Sequence, residues 1–261
     1  MKMNREKLYT ISEMQKLGVK KCLKFFSEGD ENLYNLLKYS YENNLYTMAC
    51  CKGHKDNKNE VYHPYILYKF NAPVFYKKFL NIVEKMIKNQ TPVDVMISNS
   101  TRYDTCQKIS FSGNEEYPAS ELFPYLLNEL KKDERIVDKS FKNFVLRLMR
   151  ISEEADVDKF EIDTMVNVDT KNNTLKCRLS LSFDHINKGL TYDERAVIGV
   201  YLDRIMHYKR LDENNYCEKT FHFDLSNIDE CNQQLNVIIA QISKHNNKLE
   251  KLLNKEEEEI A

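Results

Sequence analysis

Apolar residues recur along the chain at helical and strand spacings, and their order predicts an α+β fold. Helical spacing extends over residues 5–26, and Asp30 can cap a second helix that ends near Asn43. Further helices are predicted over residues 74–88, 120–132, 142–155 and 191–211, and from residue 228 onwards. Short apolar or alternating runs predict strands over residues 45–51, 64–70, 93–98, 108–113, 159–168, 174–183 and 216–224.

The order of these elements is similar in the two halves of the chain. Residues 1–135 read as α-α-β-β-α-β-β-α, and residues 136–261 read as a looser copy. The strands at 159–168 and 174–183 are predicted to pair as a hairpin around the turn residues 169–173. We therefore expect mainly antiparallel sheets with flanking helices, built as two α+β halves or as one domain with a duplicated organisation.

The last predicted helix carries the most regular pattern in the chain, and Ser226 or Asp224 can cap it. Its apolar seam repeats every seven residues, as in helices that pair with another helix. The seam consists of Ile228, Cys231, Leu235, Ile238, Ile242, His245, Leu249 and Leu252. Two interpretations follow. Either the helix packs on the sheet of its own chain, or it pairs with a second copy to form a homodimer through the aliphatic members of the seam.

Composition and charge narrow the classes of protein. The 261 residues include 39 basic and 40 acidic side chains, so the net charge of −1 argues against a global electrostatic hold on nucleic acid. No apolar run approaches the roughly 20 residues of a membrane span, and the N-terminus lacks the apolar segment of a signal peptide. The seven scattered cysteines favour free thiols in a reducing compartment. We therefore expect a soluble, cytoplasmic protein with no membrane partner.

Reactive side chains concentrate in one stretch, YTMACCKGH at residues 46–54, where a predicted strand enters a polar loop over residues 52–63. A strand that ends in Cys50 and Cys51 directs these two side chains to opposite faces. Gly53 permits a positive φ, so the chain can turn back and bring His54 near one thiol. The short motifs of P-loop NTPases, Rossmann dehydrogenases, zincins and α/β-hydrolases are absent from the chain. This turn is therefore the candidate site.

Metal binding is one use of this turn, and nucleophilic catalysis is another. Cys51 and His54 are separated by two residues, as in zinc ligand pairs, and His63, with Cys106 as a candidate fourth ligand, would have to complete the site. Zinc is thus one candidate cofactor. A nearby cation lowers the pKa of a thiol and makes the thiolate reactive, and both Lys52 and His54 are close enough in sequence to do so.

Ligand binding is the third use. A glycine-containing turn at a strand end exposes backbone N–H groups that can bind a phosphate or carboxylate, and Arg102 lies in a later polar loop that can add positive charge. The alternative to all three uses is structural, because cysteine is among the most buried residue types. The residues expected to contact a ligand are Cys50, Cys51, Lys52, Gly53, His54 and Arg102.

The candidate turn also carries a family resemblance. A helix that ends in Asn precedes a short strand beginning Tyr-Thr, and a turn containing Cys and Gly follows it. In this pattern, over residues 30–98, the chain resembles the wybutosine-synthesis tRNA methyltransferase family, although Ala49 and Cys50 replace two serines and His54 replaces a basic Arg. The matching positions are Tyr46, Thr47, Cys51 and Gly53. The resemblance implies a cytoplasmic α+β protein that handles a modified nucleotide in RNA, with S-adenosylmethionine as a cofactor.

Two classes of function follow from these patterns. The preferred one is recognition of a small anionic or nucleotide-like ligand, including one derived from RNA, at the Cys50–His54 turn. The alternative is a non-catalytic interaction or inhibitor protein of the phage or mobile-element accessory type, which dimerises through its C-terminal helix. Whether the protein is an enzyme is left open by the sequence.

Overall fold

The computed structural model describes residues 11–55, 60–70, 73–99, 107–132, 140–157, 161–182, 209–210 and 216–260. The chain divides into two compact units, and both contain helices and strands. Unit 1 comprises Met1–Ile97, Gln107–Val137 and Val168–Asn173. Unit 2 comprises Ser98–Cys106, Asp138–Asn167 and Thr174–Ala261. The predicted α+β class with antiparallel strand pairs is confirmed.

Unit 1 holds the N-terminal helices and a sheet of four strands. Its elements are α1 (Ile11–Leu17), α2 (Val19–Phe26), α3 (Glu31–Glu42), β1 (Tyr46–Cys51), β2 (His54–Lys55), β3 (Val61–Tyr62), β4 (Tyr65–Phe70), α4 (Pro73–Lys88), β5 (Asp94–Asn99), β6 (Gln107–Ser112) and α5 (Ala119–Lys131). The spatial order of the main sheet is β1-β4-β6-β5, and β1 and β6 are both antiparallel to β4. β2 and β3 form a separate small hairpin.

Alternation along β4 creates the aromatic core of unit 1. Tyr68 and Phe70 point to one face because they are two residues apart, and both are buried. Phe79 of α4 packs against them, with ring centroids 4.6 Å from Tyr68 and 4.9 Å from Phe70. The Ser40 hydroxyl of α3 lies 3.1 Å from the Tyr68 hydroxyl, so the one polar atom of that ring is hydrogen-bonded. Helices α3 and α4 therefore cover the same face of the sheet.

Unit 2 is built from a long hairpin and the C-terminal helix. Its elements are α6 (Ser140–Met149), α7 (Ile151–Glu154), β7 (Glu161–Asp169), β8 (Thr174–Ser182), β9 (Lys209–Arg210), β10 (Tyr216–Asp224) and α8 (Ile228–Ile260). The strand order is β7-β8-β10-β9, and β10 is antiparallel to β8 and β9. Phe144 of α6 meets Phe223 of β10 edge to face, with ring centroids 5.2 Å apart.

The two units repeat one strand order. Counted along the chain within each unit, the four strands of the main sheet lie side by side as first, second, fourth and third in both units. A helix precedes the first strand and another follows the last one in each case. The duplicated organisation that the element order predicts is therefore present in the sheet topology.

Two predicted helices are each divided in the structure. The single helix expected over residues 5–26 is wrong within the described part, because Gly18 adopts φ +90 and separates α1 from α2. The helix expected over residues 142–155 breaks at Arg150, whose φ of −111 lies outside helical values and separates α6 from α7. The helix expected over residues 191–211, with Thr191 and Glu194 at its start, lies almost entirely outside the described residues.

The predicted helix caps are partly confirmed. Asp30 caps α3 as expected, since its side chain accepts a hydrogen bond of 2.7 Å from the Leu33 N–H. The cap of α8 is neither Ser226 nor Asp224 but Asn227, whose side-chain oxygen accepts from the Glu230 N–H at 3.2 Å. The polar segment predicted as a loop over residues 52–63 contains the two short strands β2 and β3 in its described part.

The C-terminal helix is confirmed, and its seam packs inside unit 2 along its first half. Leu235, Ile238 and Ile242 are buried, and Cys231 donates a hydrogen bond of 3.0 Å to the Asp224 carbonyl. Own-chain packing therefore accounts for this part of the seam. The side chains of His245, Leu249 and Leu252 lie outside the described residues, and pairing with a second copy stays a prediction. Among the described helices, none combines the length and apolar character needed to cross a membrane.

Candidate functional site

A cavity of about 380 Å³ lies in unit 1 between β1 and the N-terminal helices. Most of its lining is apolar or aromatic, and the polar residues Glu28, Cys51 and His54 also line it. The helical wall comes from α1, α2 and α3 and consists of Met14, Leu23, Phe25, Phe26, Leu37 and Tyr41. Three residues of the turn, Cys50, Cys51 and His54, therefore border a concave site.

The cavity follows the free edge of β1. All six residues of β1, from Tyr46 to Cys51, line it. Consecutive residues of a strand point to opposite faces, so a cavity that touches every one of them must extend along the strand edge. Among the described strands, β1 pairs only with β4 and stands at the end of the sheet order. Backbone N–H and C=O groups on its outer edge therefore border the cavity.

A tight turn brings a thiol and an imidazole together after β1. Cys51 Sγ lies 3.4 Å from His54 Nδ1, and the Gly53 N–H donates a hydrogen bond of 3.4 Å to the same sulfur atom. The turn requires glycine, because Gly53 has φ +83 and a Cβ there would lie 3.0 Å from the Tyr62 carbonyl oxygen. The His54 ring stacks on Tyr62 of β3, with centroids 4.9 Å apart. The imidazole is therefore held from one side.

The end of α2 adds a carboxylate that the sequence analysis did not identify. Glu28 has φ +54 and is followed by Gly29 with φ +80, so the chain reverses sharply between α2 and α3. This reversal places a Glu28 carboxylate oxygen within 4.8 Å of both Cys51 Sγ and the nearest His54 ring nitrogen. The Lys52 ammonium donates to the Glu28 carbonyl oxygen at 3.0 Å and joins the two segments. A glutamate directly before a helix-ending glycine was the available sequence signal, but it does not indicate a contact with residue 51.

The two cysteines have different roles. Cys51 is buried, whereas Cys50 is half-buried and its thiol donates to the Phe26 carbonyl oxygen at 3.7 Å. Burial raises the pKa of the Cys50 thiol to about 12, and the charges of Glu28 and Cys51 add to the increase. Cys50 is therefore a neutral thiol at physiological pH and not a nucleophile. Of the two, Cys51 is the one that contacts His54.

Glu28 places a negative charge at the turn end of the cavity. Burial raises the pKa of Tyr65, and the neighbouring Cys51, Cys50 and Glu28 raise it further. Lys52 points its ammonium at a backbone carbonyl and is not among the residues that line the cavity. This end of the cavity therefore favours a cation or a neutral group over a phosphate.

The structure brings together only part of the predicted site. Cys50, Cys51 and His54 line the cavity, and Gly53 shapes the turn. Glu28 is the third residue with a ligand atom close to Cys51 and His54. His63 does not belong to this group and is exposed in the short segment before β4. Burial and the charge of Asp169 raise the pKa of Asp94, and His63 opposes this increase. Arg102 and Cys106 lie outside the described residues.

Comparison with protein-family models, with curated proteins and with solved structures finds no match to this chain. The resemblance to the wybutosine-synthesis tRNA methyltransferase family therefore stays a prediction from the residues that carry it.

Proposed function

We propose that the protein binds a small planar ligand of the nucleobase or nucleoside type in the cavity along β1. The observation that supports this proposal most directly is the cavity itself, which combines an apolar wall with a free strand edge. Its volume of about 380 Å³ falls in the range of roughly 300–1,000 Å³ that is usual for small-molecule sites.

The lining favours a flat and mostly apolar molecule. Phe25, Phe26 and Tyr41 contribute aromatic surface from the helices, and Tyr46 and Tyr65 contribute it from the strands. Aromatic side chains bind planar rings through stacked or edge-to-face contacts. A heterocycle in this cavity would bury its ring against these groups.

The strand edge supplies polar contacts for such a ring. Backbone N–H and C=O groups line the outer edge of β1, with an irregularity between Thr47 and Ala49, and pairing of the other edge with β4 holds the strand in place. A nucleobase presents hydrogen-bond donors and acceptors along its rim in a similar plane. The backbone of Thr47 to Cys50 can therefore orient a base without any dedicated side chain.

Charge decides where a phosphate of such a ligand would lie. The Glu28 carboxylate borders the turn end of the cavity, so a phosphate there would be repelled. The anionic part of a nucleotide-like ligand would therefore point away from the turn towards solvent. The resemblance to a family that handles a modified nucleotide in RNA is a separate reason to test nucleosides first.

Binding is tested by calorimetric titration of the purified protein with purine and pyrimidine nucleosides and their monophosphates. We expect at least one nucleoside to bind. The affinity for its monophosphate should be at most about tenfold higher, which corresponds to about 1.4 kcal/mol of binding free energy. The Ala49→Phe variant fills the cavity from β1 and should abolish binding. The Val237→Phe variant adds the same side chain at a position that is 57% exposed on α8, and it should bind normally. Absence of binding across the panel, or equal binding by Ala49→Phe, contradicts the proposal.

A further inference from the structure

We propose that Glu28, Cys51 and His54 form a zinc site at the turn end of the cavity, with a fourth coordination position open to the cavity. This inference does not depend on the organic ligand, because it rests on the three side chains alone. Their ligand atoms, a carboxylate oxygen, Cys51 Sγ and a ring nitrogen of His54, all lie within 4.8 Å of one another.

The separation of sulfur and nitrogen agrees with tetrahedral coordination. Zinc–sulfur bonds of about 2.3 Å and zinc–nitrogen bonds of about 2.0 Å at the tetrahedral angle place the two ligand atoms about 3.5 Å apart. The observed distance between Cys51 Sγ and His54 Nδ1 is 3.4 Å. An ion can therefore enter between them with little movement of the turn.

A backbone N–H points at the sulfur, as it does at the ligands of metal sites. The Gly53 N–H donates to Cys51 Sγ, and a thiolate accepts such a bond far better than a neutral thiol does. Hydrogen bonds of this kind orient and stabilise the ligands of metal sites. The stack of His54 on Tyr62 holds the imidazole, and the Lys52–Glu28 contact ties the carboxylate segment to the turn.

Charge explains why a cation fits here better than a catalytic dyad. As a thiolate, the Cys51 sulfur would lie within 4.8 Å of the Glu28 carboxylate, and two negative groups at this separation repel each other. A divalent ion between them reverses the sign of both interactions. The mixture of thiolate, imidazole and carboxylate suits zinc, whereas magnesium and calcium prefer oxygen ligands alone.

The site is of the open type. Cys50 is not the fourth ligand, because consecutive side chains of β1 point to opposite faces and Cys50 therefore points away from Cys51. Its sulfur contacts the Phe26 carbonyl oxygen instead. Sites with three protein ligands keep one position for water or substrate. All three ligand residues line the cavity, so this position faces it. A heteroatom of a bound base could occupy it, and only this last step rests on the proposed function.

Zinc affinity of the metal-free protein tests the inference, measured by competition with a chromophoric chelator. We expect one zinc ion per chain. The zinc affinity should fall by at least about tenfold in each of the variants Cys51→Ser, His54→Ala and Glu28→Gln. About tenfold is the smallest loss usually seen when a group that only hydrogen-bonds to a ligand is removed, and loss of a ligand itself should cost at least as much. The matched controls Cys50→Ser and His63→Ala should keep wild-type affinity.

Cobalt provides a second readout that identifies the sulfur ligand. Cobalt-loaded wild-type protein should show a thiolate-to-metal charge-transfer band, which Cys51→Ser removes and Cys50→Ser retains. Melting temperatures of the metal-free variants should match wild type, so that a folding defect is recognised. No zinc binding by folded wild-type protein, or equal losses in the controls, overturns the inference. Zinc binding without nucleoside binding would refute the proposed function alone, and the reverse result would refute the metal site alone.

Discussion

Units 1 and 2 share one strand order but differ in how their first two strands are connected. In unit 1, β1 passes to β4 through residues 52–64, which contain β2, β3 and the turn with His54. Strand β7 passes to β8, the second strand of unit 2, through residues 170–173 alone, and this turn itself is grouped with unit 1. There the Asp169 side chain accepts hydrogen bonds from two backbone N–H groups within the turn, at 3.1 and 3.0 Å. One scaffold therefore accommodates a short turn and an elaborated one, and the elaborated one carries the reactive side chains.

The units also differ in what precedes the first strand. Unit 1 has α1 and α2 before α3, and these helices wall the cavity along β1. In unit 2, the described residues before β7 form α6 and α7, and α6 packs against α8 and β10. The comparison suggests that a repeated core supplies stability in both units, while additions around β1 supply the candidate site.

The largest expected effect is the loss of a core aromatic ring in either unit. Phe79 and Phe144 are both fully buried. Phe79→Ala and Phe144→Ala should each lower the free energy of unfolding by about 3–5 kcal/mol, because each leaves a large cavity. Urea unfolding measures the cost, and hydrogen exchange locates it in one unit. If only one of the two variants loses less than about 1 kcal/mol of unfolding free energy, the two cores are not equally well packed.

A smaller effect is expected at the left-handed residue of each hairpin connection. Gly53→Ala should cost about 1–3 kcal/mol, because φ is +83 and the new Cβ meets backbone atoms of Tyr62 and Pro64. Asn173→Ala, at φ +54, should cost about 1 kcal/mol. Thermal unfolding checks both values. Zinc affinity should fall in Gly53→Ala and stay unchanged in Asn173→Ala. An unchanged zinc affinity in Gly53→Ala would show that zinc binding does not depend on the geometry of this turn.

The helix caps allow a closer comparison of the two units. Asp30 caps α3 with a hydrogen bond of 2.7 Å, and Asn227 caps α8 with one of 3.2 Å. Asp30→Ala and Asn227→Ala should each cost about 0.5–2 kcal/mol, with the larger loss at Asp30 because a carboxylate also interacts with the helix dipole. Chemical denaturation of the two variants in parallel gives the difference. If Asn227→Ala loses more stability than Asp30→Ala, the geometry of the cap does not predict which of the two caps stabilises its helix more.

The smallest expected effect is a pH dependence confined to unit 1. Burial tends to raise the pKa of Glu129 in α5, but hydrogen bonds from Lys132 and Lys85 outweigh it and hold the pKa below its usual value of 4.5. A lowered folded-state pKa contributes stability above pH 4.5, and this contribution is lost as the pH falls through the folded-state value. Its size should be about 1 kcal/mol or less, because both lysines are partly exposed.

Glu129→Gln should remove this dependence. Stability of wild type and Glu129→Gln measured between pH 7 and pH 3 should converge at the acid end. Parallel curves over the whole range would show that Glu129 does not titrate differently in the folded state.

The strand and helix positions were largely predictable, because they depend on local periodicity. The hairpin of β7 and β8, the strand β10 and the helix α8 lie where the pattern places them. The errors have local causes that a pattern of apolar residues does not contain. Gly18 breaks a helix through its φ, and Asn227 replaces two other polar residues as a cap. A helical spacing of apolar residues can continue across Gly18, and it does not identify which polar residue caps a helix.

The candidate site was predictable only for the residues that are close in sequence. Cys51, Gly53 and His54 are within one turn, so glycine geometry alone suggests their contact. Glu28 reaches them only because α2 ends beside β1, and His63 fails to join them because the chain has by then entered the segment before β4. A ligand set distributed over separate elements depends on how those elements pack.

By itself, the sequence determined the α+β class, the repeated order of elements, the long C-terminal helix and the turn at Gly53. These features follow from the periodicity of apolar side chains and from the dihedral freedom of single residues. The tertiary structure decided that the edge of β1 borders a cavity, that Glu28 joins Cys51 and His54, and that the seam from Cys231 to Ile242 is buried within unit 2. Each of these depends on contacts between distant segments, and such contacts are set by packing of the whole unit rather than by any local pattern.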